Sequence, residues 1–517
     1  MADRPTLRRG CAMKLATARQ VRDIDRLAQD RFGIPAAGLM ERAGVSGWNA
    51  IVNHFSSPCS RPASFPVAFV VGKGHNGGDA LVMARCAAEA GYSVAVVLAA
   101  APDAFGELSR AHLRSAEQIA LPIVIAEENL EQAVSTIREA ALVIDGLAGS
   151  GISGALRHPH DTLATAIANH GPHRVAVDVP SGLGDDWEPA MPAAIADLTL
   201  AMGLPQRSLF SPVARERCGK IVQIDVGFPR ELTQTDSLMG EVELAPGSDL
   251  GTLFPPLLHH LHKHSRGVVA VLAGSRGGSG AALLAAGAAQ HSRAGLVHLA
   301  VDADIYPSVS AAASTVMVHP LEQWDRSGLA ADSVLIGPGW GTGIGRAITL
   351  SRLLAECDTG VLDADALNLL AKWPDSFAGS ALGERWILTP HVGELARLTG
   401  TTTADVKHGF IDLAVSCASR WGCVVVAKSH VVVIAGPDGR YFVVDGGNPA
   451  LATGGSGDVL AGVLAGLLAS GMGGRDAARL GVMVHQRAGR SVRSKSGLFS
   501  ADMLIPEIAR LLDHGGD

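Results

Sequence analysis

"FPVAFVVGKGHNGGDALVMARCAAEAGY", Phe65–Tyr92, runs from an apolar stretch through a glycine-rich loop into an Ala-rich segment. An unbroken run of branched and aromatic residues is the pattern of a strand buried on both faces, and a helix directly after it begins a βαβ unit. Gly72, Gly74 and Gly77 stand between the two at G-x-G-x-x-G spacing. That spacing lets backbone N–H groups approach a phosphate at a helix start. A dinucleotide-binding loop of this kind also wants an acid at the end of the next strand, to hold a ribose hydroxyl. Here that strand reads "SVAVVLAAAPDAF", Ser93–Phe105, with alanines where the acid belongs and Asp103 arriving only after Pro102. The loop instead carries its own amide and acid, Asn76 and Asp79, among the glycines. This combination argues against an ordinary hydride-transfer site.

Working outward, strand-like runs alternate with helical ones: "ALVIDGL", "HRVAVDVP", "DLTLAMG" and "KIVQIDVG" follow in the first half. The alternation means a mainly parallel sheet covered by helices on both faces. After "GEVELAPGSDL" the pattern restarts with "GVVAVLAGS", "GLVHLAVD", "STVMVHP", "SVLIGPG", "TGVLDAD", "RWILTPH", "CVVVAKSHVVVIAG" and "YFVVDGG". At 517 residues the chain exceeds one ordinary core. We therefore expect an α/β protein of two three-layer α/β/α domains, residues 13–238 and 239–517, with no motif repeated between them.

Each apolar strand of the first half ends in glycines or polar residues. "DGLAGSGISGA", Asp145–Ala155, and "DVPSGLG", Asp178–Gly184, join the first loop. Any one of these is explained by a tight turn alone. Three of them, each with an Asp, converge on the crevice at the carboxyl ends of a parallel sheet, where ligands bind. Carboxylates do not suit a phosphate, so Asp79, Asp145 and Asp178 should face a cation, a hydroxyl or a reacting ring. Asn76, Asp145 and Ser181 offer hard oxygen ligands suited to potassium or a similar ion.

In the second half, "ATGGSGDVLAGVLAGLLASG", Ala452–Gly471, places Gly454, Gly455, Ser456 and Gly457 before an apolar helix, with Asp458 in its first turn. Glycine-rich N–H groups at a helix start make an anion hole for a transferring phosphoryl group, and a carboxylate there accepts the proton of an attacking hydroxyl. A helix-dipole charge alone explains Asp458 but not the small residues before it. No Lys-Ser/Thr follows the glycines, so this is not a P-loop.

"GKGHNGGDALVMAR", "DGLAGSG" and "AVDVPSGL" resemble, in order and spacing, the NAD(P)H-hydrate epimerase domain from about Met13 to Gly227. The resemblance implies a Rossmann-like fold. It also implies His75, Asn76, Gly77, Gly78, Asp79, Gly149, Ser150, Gly151, Ile152, Ser153, Gly154, Ala155 and Asp178 at the hydrated nucleotide. Asn76, Asp145 and Ser181 then hold potassium, and Asp178 is the acid/base candidate. His75 departs from the family's usual Asn. "GVVAVLAGSRGGSGAALLAA", "LIGPGWGTG", "LDADALNLL", "ILTPHVGELARLTG", "VVAKSHVVVIAG" and "NPALATGGSGDVLAG" together resemble the NAD(P)H-hydrate dehydratases, which are ribokinase-like. The carry-over places Ala281, Gly339, Gly341, His391 and Asp458 at the hydrated nicotinamide. Lys428, Ser429, His430, Val431, Val432 and Gly457 fall at the adenine nucleotide, and Asp458 at the reacting hydroxyl. Val392 stands for the family's Pro, "KSHVV" for a K-G-x-x-T type loop, Ser456 for Met or Thr, and Trp340 lies beside the GPG turn. Asp363 and Asp365 border this region and carry no assigned role.

The implied activity is repair of NADHX or NADPHX: epimerisation of the S and R forms, then dehydration of one epimer with ADP, giving AMP and phosphate, with magnesium. The competing reading is a small-alcohol kinase with a regulatory nucleotide-binding first domain. Composition limits the partners. A net charge of −7 and no basic run leave nothing for nucleic acid. No stretch has the length and hydropathy of a membrane span. Seven scattered cysteines without C-x-x-C spacing fit reduced thiols, no zinc site and a cytoplasmic setting. The start lacks the apolar core of a signal peptide, and Met13 can serve as the first residue, with 1–12 an extension. "HHLHKHS", His259–Ser265, reads as a lead-in of the H-K-x-x-x-G type through His262, Lys263 and Gly267 rather than as a metal tract. Ala/Gly-rich helices are compatible with a homo-oligomer.

Overall fold

Strands in this chain are defined by where buried branched residues accumulate, and in the first unit they alternate faces. The computed structural model describes residues 12–55, 65–171, 173–243, 250, 262–323, 331–377 and 382–513. The 1–12 extension up to Cys11, Cys59 and His259–Leu261 lie outside the described residues. The chain divides into two compact units, the first Met13–Leu244, the second Ala245–Asp517 together with Ala12 from before Met13.

The first unit contains β1 (Met13–Leu15), β2 (Val67–Val71), β3 (Val94–Leu98), β4 (Ile123–Ile125), β5 (Leu142–Gly146), β6 (Arg174–Val177), β7 (Leu198–Met202), β8 (Lys220–Ile224) and β9 (Gly240–Glu243). β1 and β9 pair antiparallel, and Lys14 binds Glu241 across them at 3.0 Å. The other seven form a sheet in the order β4-β3-β2-β5-β6-β7-β8, parallel throughout. Alternate residues go to opposite faces. Phe69, Val96, Leu98, Ile144 and Val177 pack on Trp48, Ile51, Leu81 and Met83, while Val70, Val97 and Val143 pack on Ile137, Leu163 and Ile167. Three layers result. The sheet's direction of growth reverses between β2 and β5, so their carboxyl ends open the crevice in which such folds bind ligands.

The second unit contains β10 (Val268–Leu272), β11 (Leu296–Val301), β12 (Met317–Pro320), β13 (Ser333–Ile336), β14 (Gly360–Leu362), β15 (Trp386–Leu388), β16 (Val424–Ala427), β17 (Val431–Ala435) and β18 (Tyr441–Asp445). Their order is β18-β17-β16-β15-β14-β13-β10-β11-β12. Pairings from β12 to β16 are parallel, but β16-β17-β18 are antiparallel. The run "CVVVAKSHVVVIAG" is thus two strands and a turn rather than one strand. The polar residues Lys428, Ser429 and His430 make the turn between two buried apolar strands. The reversal point here lies between β10 and β13, whose following loops are tied by Gly274 N–H to Pro338 O at 2.9 Å and Ser275 Oγ to Gly339 O at 2.9 Å.

On one face of this sheet lie the Ala/Gly-rich helices Ser279–Gln290 and Ser456–Ala469. Their small residues serve close approach: a Cβ on Gly462 would stand 2.2 Å from the Ala285 carbonyl, and one on Gly466 2.5 Å from that of Ser292. Every residue from Val459 to Ala469 is buried. The uniform apolarity of that helix marks a core element. Among the described residues no helix is long and apolar enough to cross a membrane.

Candidate functional site

In the first unit the glycines of the opening loop do two different jobs. A Cβ on Gly72 would stand 1.8 Å from Leu147 O, and one on Gly77 1.8 Å from Gly72 O. Both are glycine because backbone touches backbone there. Gly78 is closed off by Met40, whereas Gly74 meets nothing within 4 Å and leads helix His75–Glu89 with no side-chain cap. That open N-terminus faces a cavity of about 640 Å³. Of the residues expected at the nucleotide, His75, Asn76, Asp79, Gly149, Ser150, Gly151, Ile152, Ser153, Gly154, Ala155 and Asp178 line it. Gly77 and Gly78 do not; they pack the helix that carries the others. Apolar Met40, Met202 and Phe228 complete a wall suited to a flat ring.

Asp178 follows β6 with φ +66, the left-handed region that short acids tolerate. Its Oδ2 accepts from Ser150 N–H at 3.1 Å, and Gln206 Nε2 donates to both carboxylate oxygens at 3.1 Å. Burial pushes the Asp178 carboxyl up against these bonds. Burial raises Asp79 further, with Asp178 and Asp25 adding repulsion. Three carboxyls, Asp25, Asp79 and Asp178, therefore share one cavity. Gln206 and Asp25 had no motif to announce them; each comes from a distant segment.

Behind the cavity wall, Asp145 is 1% exposed. It accepts from Ser181 N–H at 2.8 Å, Ser181 Oγ at 2.5 Å and Leu147 N–H at 3.2 Å. Burial still brings its carboxyl up to about 6. Asn76, the second residue of helix His75–Glu89, is buried nearby, and neither its Oδ1 nor its Nδ2 has a hydrogen-bond partner among the described residues. An unpartnered buried amide costs a few kcal/mol unless something fills its oxygen. The donor set of Asn76, Asp145 and Ser181 is all oxygen with one carboxylate, which fits a hard monovalent cation.

In the second unit, Asp458 occupies the first turn of helix Ser456–Ala469, after Gly455 at φ +91, and no side chain caps the helix. Its first N–H groups are accordingly open to an anion. Burial lifts Asp458 to about 6, with Asp363 adding and Lys428 opposing. Lys428 Nζ binds Asp363 Oδ1 at 2.8 Å, and Thr389 Oγ1 donates to the same oxygen at 2.7 Å. A Cβ built on Gly457 would lie 3.3 Å from that ammonium. Burial works against the Lys428 charge, but Asp363, Glu394 and Asp458 outweigh it and raise its pKa. Asp363 and Glu394 are thus part of the cluster, though sequence reasoning gave them no role. Ala364, between Asp363 and Asp365, has φ +46, strain of about 1–3 kcal/mol stored beside the acids.

His391 caps helix Val392–Thr399. Its Nδ1 accepts from Gly393 N–H at 2.9 Å, and Glu394 Oε2 accepts from His391 N–H at 2.9 Å. Burial carries Glu394 to about 7. Gly341 N–H binds Asp365 Oδ2 at 2.7 Å, and a Cβ on Gly339 would touch Ala281 Cβ at 3.4 Å, so Ala281, Gly339 and Gly341 belong to one loop pair. Lys428, Ser429 and His430 form the turn of the β16–β17 hairpin, with His430 exposed. Val431 and Val432 are buried strand residues of the β17 ladder. Their side chains serve the core.

Residues 269–510 match the family described as NAD(P)H-hydrate dehydratase, and residues 36–208 match that described as YjeF-related protein N-terminus. The chain is 33% identical to a bifunctional NAD(P)H-hydrate repair enzyme of Coxiella burnetii, over 96% of this chain and 98% of the relative. It is 32% identical to one of Moorella thermoacetica, over 97% of each. Among solved structures, an ADP/ATP-dependent NAD(P)H-hydrate dehydratase from Bacillus subtilis, co-crystallized with ATP/Mg2+, is 26% identical with a TM-score of 0.45. That match covers 52% of this chain and 96% of the other.

Proposed function

The chain belongs to the bifunctional NAD(P)H-hydrate repair enzymes, and on that premise we propose how its own residues divide the work. The Met13–Leu244 unit interconverts the S and R forms of NADHX or NADPHX, and the second unit dehydrates the S form to the reduced nucleotide. The observation that carries the second assignment is Asp458, an acid with pKa near 6 at an uncapped glycine-led helix start, facing the Lys428–Asp363 pair.

In the epimerase cavity the substrate's C6 hydroxyl is a hemiaminal oxygen beside the ring nitrogen. Asp178 donates its proton to that oxygen, the nitrogen lone pair breaks the C6–O bond and water departs, leaving an iminium. Water then adds to the other face and returns a proton to the Asp178 carboxylate. Gln206 and Ser150 hold the carboxyl in place, and the apolar wall limits access of bulk water. Potassium at Asn76, Asp145 and Ser181 would supply a fixed positive charge that offsets the buried Asp145 carboxylate.

In the second unit Asp458 takes the proton of the C6 hydroxyl as that oxygen attacks the terminal phosphorus of ADP. A new O–P bond forms, AMP leaves, and the open N–H groups at Gly457 and Asp458 stabilise the phosphoryl charge. The ring nitrogen then expels phosphate, and loss of the C5 proton to solvent restores the dihydronicotinamide. Lys428 and the hairpin turn Ser429–His430 face the nucleotide phosphates; Ala281, Gly339, Gly341 and His391 hold the nicotinamide end. Among the described residues no three His, Cys, Asp or Glu gather as a metal site, so magnesium enters with the nucleotide phosphates it binds. A cytoplasmic setting fits cysteines that form no disulfide among the described residues. A homo-oligomer fits the exposed Ile344 and Ile348, four residues apart on one helix, and native mass measurement decides it.

Incubating S-NADHX with Mg-ADP tests the dehydratase assignment. Equal amounts of reduced nicotinamide, AMP and phosphate are expected; a stable phosphoester with no gain of absorbance would replace the reading with a kinase.

A further inference from the structure

One buried titratable side chain beside the catalytic turn has no part in the chemistry above. His485 sits within helix Gly474–Ser496, 6% exposed, with Nε2 3.0 Å from the carbonyl oxygen of Ser456. A carbonyl only accepts, so Nε2 carries the hydrogen and donates it. Burial brings the ring down to about 4, the Ser456 bond opposing and Lys428 assisting, so the imidazole is neutral throughout the working range.

Ser456 is the first residue of its helix, and its hydroxyl donates to Leu451 O at 2.8 Å. The residue is therefore tied on two sides. The Ser456 carbonyl and the Gly457 N–H belong to one planar trans peptide, in which the two groups point in opposite directions. Fixing the carbonyl toward His485 aims the Gly457 N–H out of the open end of the helix. No side chain caps this helix start and Gly455 precedes it at φ +91, so the His485 bond adds a side-chain tie to the backbone ones, Ser456 N–H to Thr453 O at 3.3 Å and Val459 N–H to Gly455 O at 3.0 Å.

We propose that His485 is a positioning residue for phosphoryl transfer, its Nε2–H holding the Ser456–Gly457 peptide so that the Gly457 N–H faces the transferring phosphoryl group. The inference rests on the dehydratase reading of the second unit. Loss of one donor aimed at developing charge lowers kcat by about 10²–10³, and a donor left in place but freed to turn loses part of that.

The experiment compares wild type, His485→Leu and His485→Gln, whose amide can restore a donor near the Nε2 position. Measured are kcat and KM with Mg-ADP and S-NADHX, Mg-ADP binding by calorimetry, the pH profile, melting temperature and epimerase rate. His485→Leu should lose about ten- to a hundredfold in kcat, with nucleotide affinity, the acid limb and the epimerase rate kept. His485→Gln should recover most of it. Wild-type kcat in His485→Leu would overturn the inference, as would parallel loss of kcat and melting temperature in both variants. Wild type that makes no reduced nicotinamide would instead overturn the dehydratase reading and this inference with it.

Discussion

Asp458 lies between an acid and an ammonium, and its chemistry follows from that setting. A base must be ionised to accept the hydroxyl proton. With its carboxyl raised to about 6, dehydratase kcat/KM should be level above that pH and fall about tenfold per unit below it. Asp458→Asn should lower kcat by about 10²–10⁴ across the range, and an unchanged acid limb in that variant would assign the titration elsewhere. Lys428→Met removes the cation that pulls the Asp458 carboxyl down, so the limb should move to higher pH. In the other unit, Gln206→Leu deletes both amide bonds to Asp178. Epimerase kcat should drop about tenfold, roughly 1.4 kcal/mol of transition-state positioning, with dehydration of the S form intact. At this scale the sequence singles out Asp178 and Asp458 because each stands inside a glycine-rich stretch. Gln206 gave no local sign, Asp363 only its place at the border of the region, and Glu394 and His485 none. They reach their partners across 28, 65, 3 and 29 positions, and even the nearest of these looks like an ordinary helix cap.

At the scale of elements, glycine means close packing at least as often as it means a ligand. Gly77 touches the Gly72 carbonyl, and Gly462 lets helix Ser456–Ala469 lie against Ser279–Gln290. Gly462→Val drives a branched side chain into the Ala285 carbonyl and Ala288. We expect a loss of about 3 kcal/mol, read as a lower denaturation midpoint of the second unit with the epimerase rate kept. Midpoints equal to wild type would mean that the two helices separate without cost. Strand–loop–helix alternation was readable through most of the chain because buried parallel strands are apolar runs. Half-buried β4 and the pair β1–β9, which carries Lys14, Glu241 and Glu243, were not. The β16–β17 turn is marked by the polar Lys428–His430 between two core strands; what the run did not show is that the second strand turns back antiparallel.

For the whole molecule, two activities on one chain make a sharper prediction than either alone. Asp178→Asn should keep dehydration of S-NADHX, and Asp458→Asn should keep epimerisation. An equimolar mixture of the two variants should then convert both epimers, since a freely diffusing nucleotide connects them; failure of the mixture with both single activities intact would mean that the steps must share a chain. Exchange of potassium for lithium should slow only the epimerase, because Asn76, Asp145 and Ser181 all lie in the first unit. An equal loss in both activities would remove the cation from that site. Length and the restart of the strand pattern made two units legible, while the arrangement of acids within each required the fold.

The most direct measurement follows reduced-nicotinamide absorbance and phosphate release when wild-type protein meets equal amounts of S- and R-NADHX with Mg-ADP. The account predicts full recovery from both epimers faster than they interconvert unaided, a stop at half in Asp178→Asn, and none in Asp458→Asn. A wild-type reaction that stops at half, or yields a stable phosphoester instead of reduced nicotinamide, would contradict it.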